Sequence, residues 1–366
     1  MDLNGRTVEV VGAGPAGLAA AITLARAGCK VVVHEAQRQV GHRFAPADLQ
    51  GLENWSAHSD VLASLRDAGL TTAFEHRPFT RGLAFDAWDH PYPLVGSTPL
   101  VYVVERGPGP RSLDSALLAQ ALALGVELRF GSRVRLPAGP GVLATGPQQA
   151  DAIATGYHFI TSMEDGFWLV LDDSLAPRGY AYLLVMNGRG TVKSCMFADF
   201  GRQRCYVERT VERFRHLVGL DMCEPRFHAG AGNIHLPASA LAGEHPLAGE
   251  RAGFQDGLAG FGIGYAMRSG VMAAHALLGA VPYDTLWRRE LAGAMSASIV
   301  NRALFAMLGN RGYRWLLRAQ AARGDTGAFL RWLYGPGWLW RALLPWAQQR
   351  YRSRRDRDGT VKKSAA

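Results

Sequence analysis

The sequence predicts an α/β protein: a nucleotide-binding lobe, a second lobe built on an antiparallel sheet, and a helical C-terminal segment. Three observations predict it. Val8–Glu35 reads as strand, glycine-rich turn, helix and strand; Ala152–Ala198 alternates apolar and polar residues between turn breaks; and Trp287–Ala366 carries helical patterns interrupted by glycine and proline. At 366 residues the chain is too long for one small core.

Val8, Val10 and Val11 form an apolar run of the kind found in a buried parallel strand. It stops at Gly12-Ala13-Gly14-Pro15-Ala16-Gly17, and an alanine-rich helix pattern follows up to Gly28. A second β-branched run, Val31–Val33, ends at Glu35. In a Rossmann-type unit Gly12 permits the tight turn, Gly14 lets the backbone approach a pyrophosphate, and Gly17 lets helix and strand pack closely. The helix N-terminus supplies free N–H groups for phosphate oxygens. Glu35 can accept hydrogen bonds from ribose hydroxyls, which favours FAD or NAD over NADP.

Bulk composition narrows the class. With 48% hydrophobic and 19% charged residues the chain is an ordinary globular one. Met1–Arg6 lacks the basic and apolar regions of a secretory signal, and no apolar run reaches membrane-spanning length. Cys29, Cys195, Cys205 and Cys223 show no metal or CxxC spacing, so they read as reduced thiols, no metal is expected, and the expected location is cytoplasmic. The net charge of +9 is concentrated: residues 310–366 hold 13 Lys and Arg against 3 Asp and Glu, leaving the rest near neutral.

Further along, Arg43 closes a polar connection and either reaches the pyrophosphate or lies in solvent. Asp60–Ala68 reads as an amphipathic helix, and Phe74–Val104 as strands that leave the nucleotide lobe and return. Leu113–Leu122 is a helix stopped by Gly125, followed by strands at Val126–Phe130 and Gly141–Ala144. Ile153–Ile160, Phe167–Leu171, Tyr180–Met186 and Thr191–Phe197 are antiparallel strands, Tyr206–Leu220 is an amphipathic helix, and Gly230–Pro237 brings the chain back. Gly249–Tyr265 is glycine-dense and runs into a small-residue helix, a second anion-receiving arrangement. Two such arrangements suggest the two ends of one long cofactor. The expected division is 1–75, 100–150 and 238–285 for the nucleotide domain, 76–99 and 151–237 for the sheet domain, 286–352 for a helical region and 353–366 for a disordered tail.

These motifs resemble those of FAD-dependent oxidoreductases of the p-hydroxybenzoate hydroxylase-like superfamily, and most of all its geranylgeranyl reductase branch, over about Val8–Gly279. The resemblance implies that Gly12, Gly14, Pro15, Ala16, Gly17 and Glu35 hold the ADP half of FAD. It implies a cofactor contact from Arg106, with Arg111 as the alternative. Gly249-Glu250 stands where the family has Gly-Asp for the ribityl chain, and Gly260, Gly262 and Ile263 belong to the loop and helix facing the flavin. NADPH or NADH is implied as a transient reductant, since no second nucleotide motif is present. The implied activity is reduction or dehydrogenation of carbon–carbon double bonds in a hydrophobic, isoprenoid or lipid-like substrate by hydride transfer at flavin N5. The alternative is a single-component monooxygenase that hydroxylates an aromatic or apolar substrate.

This chain departs from the family at Gly257, where a proline is usual, and at Tyr180-Ala181-Tyr182, where the reductase branch has Tyr-x-Trp. Tyr180 and Tyr182 share a strand face and serve either substrate or an aromatic core. No side chain is assigned as the proton donor. The Trp-x-Trp-x-Ile-Pro of the halogenases is missing. In the C-terminal segment Trp315, Trp332, Trp338, Trp340 and Trp346 alternate with arginines, as in an interfacial helix on the inner face of a membrane or in a helical cap with buried tryptophans. Nucleic acid is not an expected partner.

Overall fold

The computed structural model describes residues 6–44, 48–56, 59–335 and 337–358, with side chains described as far as 350. The first part of the chain runs β1 (Thr7–Val11), α1 (Pro15–Arg26), β2 (Lys30–Glu35), β3 (Asp48–Glu53), α2 (Val61–Asp67), β4 (His76–Phe79), β5 (Arg81–Asp86), β6 (Pro91–Val95), β7 (Val101–Arg106), α3 (Leu113–Ala123), β8 (Glu127–Phe130) and β9 (Gly141–Leu143). Next come β10 (Ala152–Ile160), β11 (Gly166–Leu171), β12 (Tyr180–Met186), β13 (Arg189–Met196), α4 (Gln203–Val218) and β14 (Cys223–Gly232). The rest is helical: α5 (Ile263–Leu277), α6 (Tyr283–Glu290), α7 (Ala292–Ala321), α8 (Thr326–Tyr334) and α9 (Trp338–Asp358).

A parallel four-stranded sheet, ordered β8-β2-β1-β9, forms the nucleotide unit. Its strands are short β-branched runs buried on both faces, as parallel strands must be. Helices α1, α3 and α5 pack between this sheet and a three-stranded sheet ordered β3-β7-β4. The contact of α1 with α5 is almost without side chains. A Cβ at Gly270 of α5 would overlap the Ala16 carbonyl of α1, and one at Gly249 would stand 3.0 Å from the Ala16 methyl. The small-residue composition of both helices thus sets how near they lie.

The second lobe is a seven-stranded sheet, ordered β14-β10-β13-β12-β11-β5-β6, antiparallel except where β5 pairs with β11. The period of two along each strand separates its faces. Tyr157, Leu183, Val185 and Val192 point outward and bury Val211 and Phe214 of α4. Leu169, Tyr182, Leu184, Lys193 and Cys195 point the other way, into a cavity. Helices α7 and α8 cover that cavity beside β5, β6 and β11.

The fold class is as expected, with local differences. Cys223–Gly232 is a full strand, whereas the sequence shows only a returning segment at Gly230–Pro237; two alanines and two glycines in alternation carry little strand signal. Strand β4 pairs with β7 rather than with the large sheet, so of the expected sheet segment 76–99 only β5 and β6 join it. The expected break at Gly309 is present: its backbone is non-helical, with φ 59° and ψ −176°, and divides α7 into two helical halves across a kink, whereas Gly312 lies within the second half. Pro345 lies inside α9. Of the expected disordered tail, 353–358 continue α9 and 359–366 lie outside the described residues. No single helix among the described residues is long and apolar enough to cross a membrane. The bent pair α6 and α7, which meets at 57°, passes that test only jointly, and its Met295, Ile299 and Val300 are core residues.

Gly270→Ala is expected to push α5 off α1 and lower stability by about 1–3 kcal/mol. A urea unfolding midpoint equal to that of the wild type would contradict this account of the helix contact.

Candidate functional site

One cavity of about 1010 Å³ runs between the two lobes, large for a small-molecule site. At one end it is walled by backbone. Gly14 is the N-cap of α1 and Gly262 that of α5, and neither helix start has a side-chain cap. Both helix starts line the same cavity, so two sets of free N–H groups and two positive dipole ends face one space. The three motif glycines differ in what they do. A Cβ at Gly12, whose φ is +106°, would overlap Ala144, and one at Gly17 would overlap the Gly12 carbonyl, so both are needed for the fold itself. Nothing lies within 4 Å of a Cβ at Gly14. It would project into the cavity, so glycine there keeps room for a ligand.

Glu35 sits at the end of β2 with its carboxylate fixed by backbone. Oε2 accepts from Ala13 N at 2.8 Å and Oε1 from Gln37 N at 2.9 Å. Each oxygen keeps a lone pair for a hydroxyl donor. Pro15, Ala16, Gly249, Glu250, Gly260 and Ile263 all line the cavity. Arg43 is half-exposed and reaches across the opening: it donates to Glu250 Oε2 at 2.7 Å and to the Ala231 carbonyl at 2.8 Å. Two residues expected to reach separate parts of a cofactor are therefore each other's partners. Arg106 lies in the wall, buried, held in bidentate fashion by Asp114 at 2.8 and 3.0 Å and stacked 4.4 Å from the Phe44 ring. Arg111 is mostly exposed and pairs with Glu75 and Glu105, so Arg106 is the arginine that faces the cavity.

The residues present fit FAD. An extended cavity, paired uncapped helix starts for a diphosphate, an open glycine and a prepositioned acid suit a long dinucleotide with a pyrophosphate near its middle.

The other end of the cavity is apolar, with Leu94, Phe167, Leu169, Leu184, Phe305, Leu316, Leu317, Leu330 and Leu333 among its walls. Tyr180 and Tyr182 both line it, their rings 5.9 Å apart, and both also join the packed clusters of the sheet. The Tyr180 hydroxyl donates to the Ala259 carbonyl and ties the sheet to the glycine-dense loop. Burial pushes the Cys195 thiol up to about 12, so it lines the cavity as a protonated, inert group.

A polar cluster sits where the two ends meet, and the sequence reading missed it. Lys193 of β13 and Asp48 of β3 are fully buried and paired, with Nζ 3.2 Å from Oδ2. Lys193 Nζ is also 3.2 Å from His228 Nδ1, and His228 Nε2 is 2.6 Å from the Arg43 carbonyl. His158 Nδ1 stands 3.0 Å from Thr191 Oγ1. Burial lowers both imidazoles, that of His158 to about 4, so both are neutral at pH 7. The ligand atoms of Asp48, His158 and His228 lie within 4.8 Å of one another, but the Lys193 ammonium takes the cationic place among them. The only sequence signal was a lysine inside an apolar strand pattern, cross-strand from Tyr182.

Glu53, at the end of β3, is buried beside the first turn of α5. Burial pushes it up to about 7; its Oε1 accepts from Ser56 and its Oε2 has no partner among the described residues.

Residues 10–61 match the family model described as an NAD(P)-binding Rossmann-like domain. The chain is 32% identical over 165 residues to a methylenetetrahydrofolate–tRNA-(uracil-5-)-methyltransferase of Trichormus variabilis, a match covering 44% of this chain and 35% of that protein. It is 66% identical over 38 residues to a hydroxysqualene dehydroxylase of Rhodopseudomonas palustris, covering 10% and 9%. The matches therefore span about a third or less of these curated relatives. Among solved structures, a geranylgeranyl bacteriochlorophyll reductase-like protein from Thermoplasma acidophilum superposes with a TM-score of 0.67 at 17% identity, covering 85% of this chain and 91% of that one. A flavin-dependent brominase superposes with a TM-score of 0.63 at 15% identity, covering 95% and 99%. The fold is that of the FAD-binding oxidoreductases.

Two outcomes follow from the site. Gly14→Val should leave the unfolding midpoint close to wild type while cutting bound flavin at least about tenfold; undiminished flavin absorbance after purification would displace the cofactor from this turn. Because the folded pKa of Glu53 lies above its ordinary value, its contribution is fully present at low pH and is lost as pH rises from about 4.5 through about 7. Stability should thus fall by up to about 3 kcal/mol across that window, and Glu53→Gln should flatten the fall. An unaltered pH profile of urea unfolding in E53Q would refute the assignment.

Proposed function

We propose that this protein is an FAD-dependent oxidoreductase that reduces, or in reverse dehydrogenates, a carbon–carbon double bond of a hydrophobic, isoprenoid or lipid-like substrate. The observation that carries the reading is the continuity of the cavity: the backbone-walled end that suits a dinucleotide opens into an apolar end without an intervening wall. Bound FAD supplies hydride chemistry that the amino acids do not have.

The chain's own residues supply position, dryness and a proton. The leucine and phenylalanine walls exclude water and hold an apolar chain by burial alone. Reduction of an alkene adds a proton as well as a hydride. Lys193, which lines the cavity at the junction of the two ends, is placed to hold that proton, and Asp48 fixes its Nζ. His228 holds Nζ from its other side through Nδ1, with its Nε2 donating to the Arg43 carbonyl. No second dinucleotide motif accompanies this arrangement in the sequence, which fits NADPH or NADH docking transiently.

The test is anaerobic. Purified flavoprotein is reduced with NADPH or NADH, or with dithionite if neither works, and then mixed with a lipid extract. Product formed and flavin reoxidised without oxygen support the reading, and Lys193→Met should slow that step roughly a hundredfold at normal flavin content. A product that forms only when air is admitted, and carries a hydroxyl, would replace the reductase with the monooxygenase.

A further inference from the structure

Helix α9 is apolar on two opposite faces. Its inner face, Trp340, Leu343, Leu344 and Ala347, packs on Ile299, Val300 and Ala303 of α7. Its outer face carries Trp338, Ala342, Pro345 and Trp346 at the i, i+4, i+7, i+8 spacing of one helical stripe, with Leu339 beside it. Trp338 is 78% exposed, Leu339 45% and Trp346 36%, and no described residue covers them. A helix apolar on both sides normally lies inside a larger assembly.

The charge around this stripe says what it meets. Between Leu291 and Arg355 the sequence has 11 arginines and a single acid, Asp325; of these, Arg302 is buried and Arg314 is paired with Asp86. Arg341 and Arg350 are exposed on α9 itself, with Arg350 lying 5.9 Å from the Trp346 ring. The helix backbone then continues to Asp358 through Arg352, Arg354, Arg355 and Arg357. Tryptophan settles at the level of lipid headgroups, and arginine extends from an apolar surface to phosphate. A protein partner could bury the stripe, but would have to neutralise the arginines with acids of its own; a bilayer containing anionic lipid supplies both features in one surface.

We propose that the outer face of α9 docks this protein on the surface of a membrane containing anionic phospholipid, lying in the interface without crossing it. The inner neighbour of α9 is α7, whose Phe305 and Leu317 wall the apolar end of the cavity. Docking therefore brings the lipid surface within one helix layer of that cavity. The docking stands whether or not the proposed reaction does, because it depends only on α9 and the arginines.

The full-length protein is sedimented with vesicles of phosphatidylcholine alone and of phosphatidylcholine mixed with phosphatidylglycerol. Binding is expected only to the mixed vesicles, falling several-fold when salt is raised from about 0.1 M to about 0.5 M. Trp338→Ala with Trp346→Ala, and separately Arg341→Gln with Arg350→Gln, should each weaken it about tenfold or more, with thermal melting unchanged. Equal failure to bind either vesicle, or unchanged binding by the tryptophan variant, would overturn the proposal. So would a concentration-dependent dimer that binds no lipid and is lost in W338A/W346A, which would assign the stripe to self-association.

Discussion

The architecture depends on a contact from which side chains have been removed. Helices α1 and α5 come from opposite ends of the nucleotide unit and touch through Ala16 and Gly270, while Gly249, in the turn before α5, also lies against Ala16. Only residues of this size let two helix axes approach so closely. The approach brings both helix starts to one cavity, where their partial charges add. A larger residue at any of these points would leave each helix intact and still separate the two anion-receiving ends. The glycines of the loop before α5 serve the same end, since Gly249 and Gly253 both adopt positive φ.

The two lobes share an apolar seam, in which Leu49, Val101 and Val103 of the small sheet pack with Phe167, Leu184 and Met186 of the large one, and polar pairs cross the same boundary. Asp48 of the small sheet pairs with Lys193 of the large one; Leu49 N donates to Thr191 across the same boundary; Arg43 reaches both Glu250 and Ala231. Buried pairs of this kind contribute little net stability after desolvation, but removing one partner is costly because the other is left charged. They fix orientation. In this chain they fix the edge at which a dinucleotide site and an apolar chamber meet, and both need that edge in a constant place.

Much of this was legible from the residues. The βαβ unit at Val8–Glu35 is almost a statement of its own geometry, because each glycine answers a different steric demand, and the four strands from 152 to 196 declare themselves by alternation. What was not legible depends on contacts distant in the chain. Nothing near Lys193 indicates that Asp48 lies 145 residues away and within 3.2 Å of it, or that Arg43 and Glu250 close on each other. Helical breaks misled for a related reason. Gly312 and Pro345 are local helix weakeners, and tertiary packing of α7 and α9 outweighs them, while Gly309 does interrupt its helix. Exposure of the C-terminal tryptophans also lay beyond composition, which serves a buried cap and a docking face equally well.

The cofactor end of the cavity draws on residues 12–16, 35, 106 and 249–266, so its walls are made from four separate stretches of chain. Synthesis runs in one direction, and the first strand and helix emerge long before α5 exists. Until α5 is released, the surface of α1 that receives it is uncovered and the second helix start is missing. A nascent chain of the first 150 residues thus has half a binding site and an exposed apolar helix face. Such long-range closure makes for slow folding. It also places the cofactor late in the process: binding can lock the assembled fold, but it has little complete surface on which to guide its early steps.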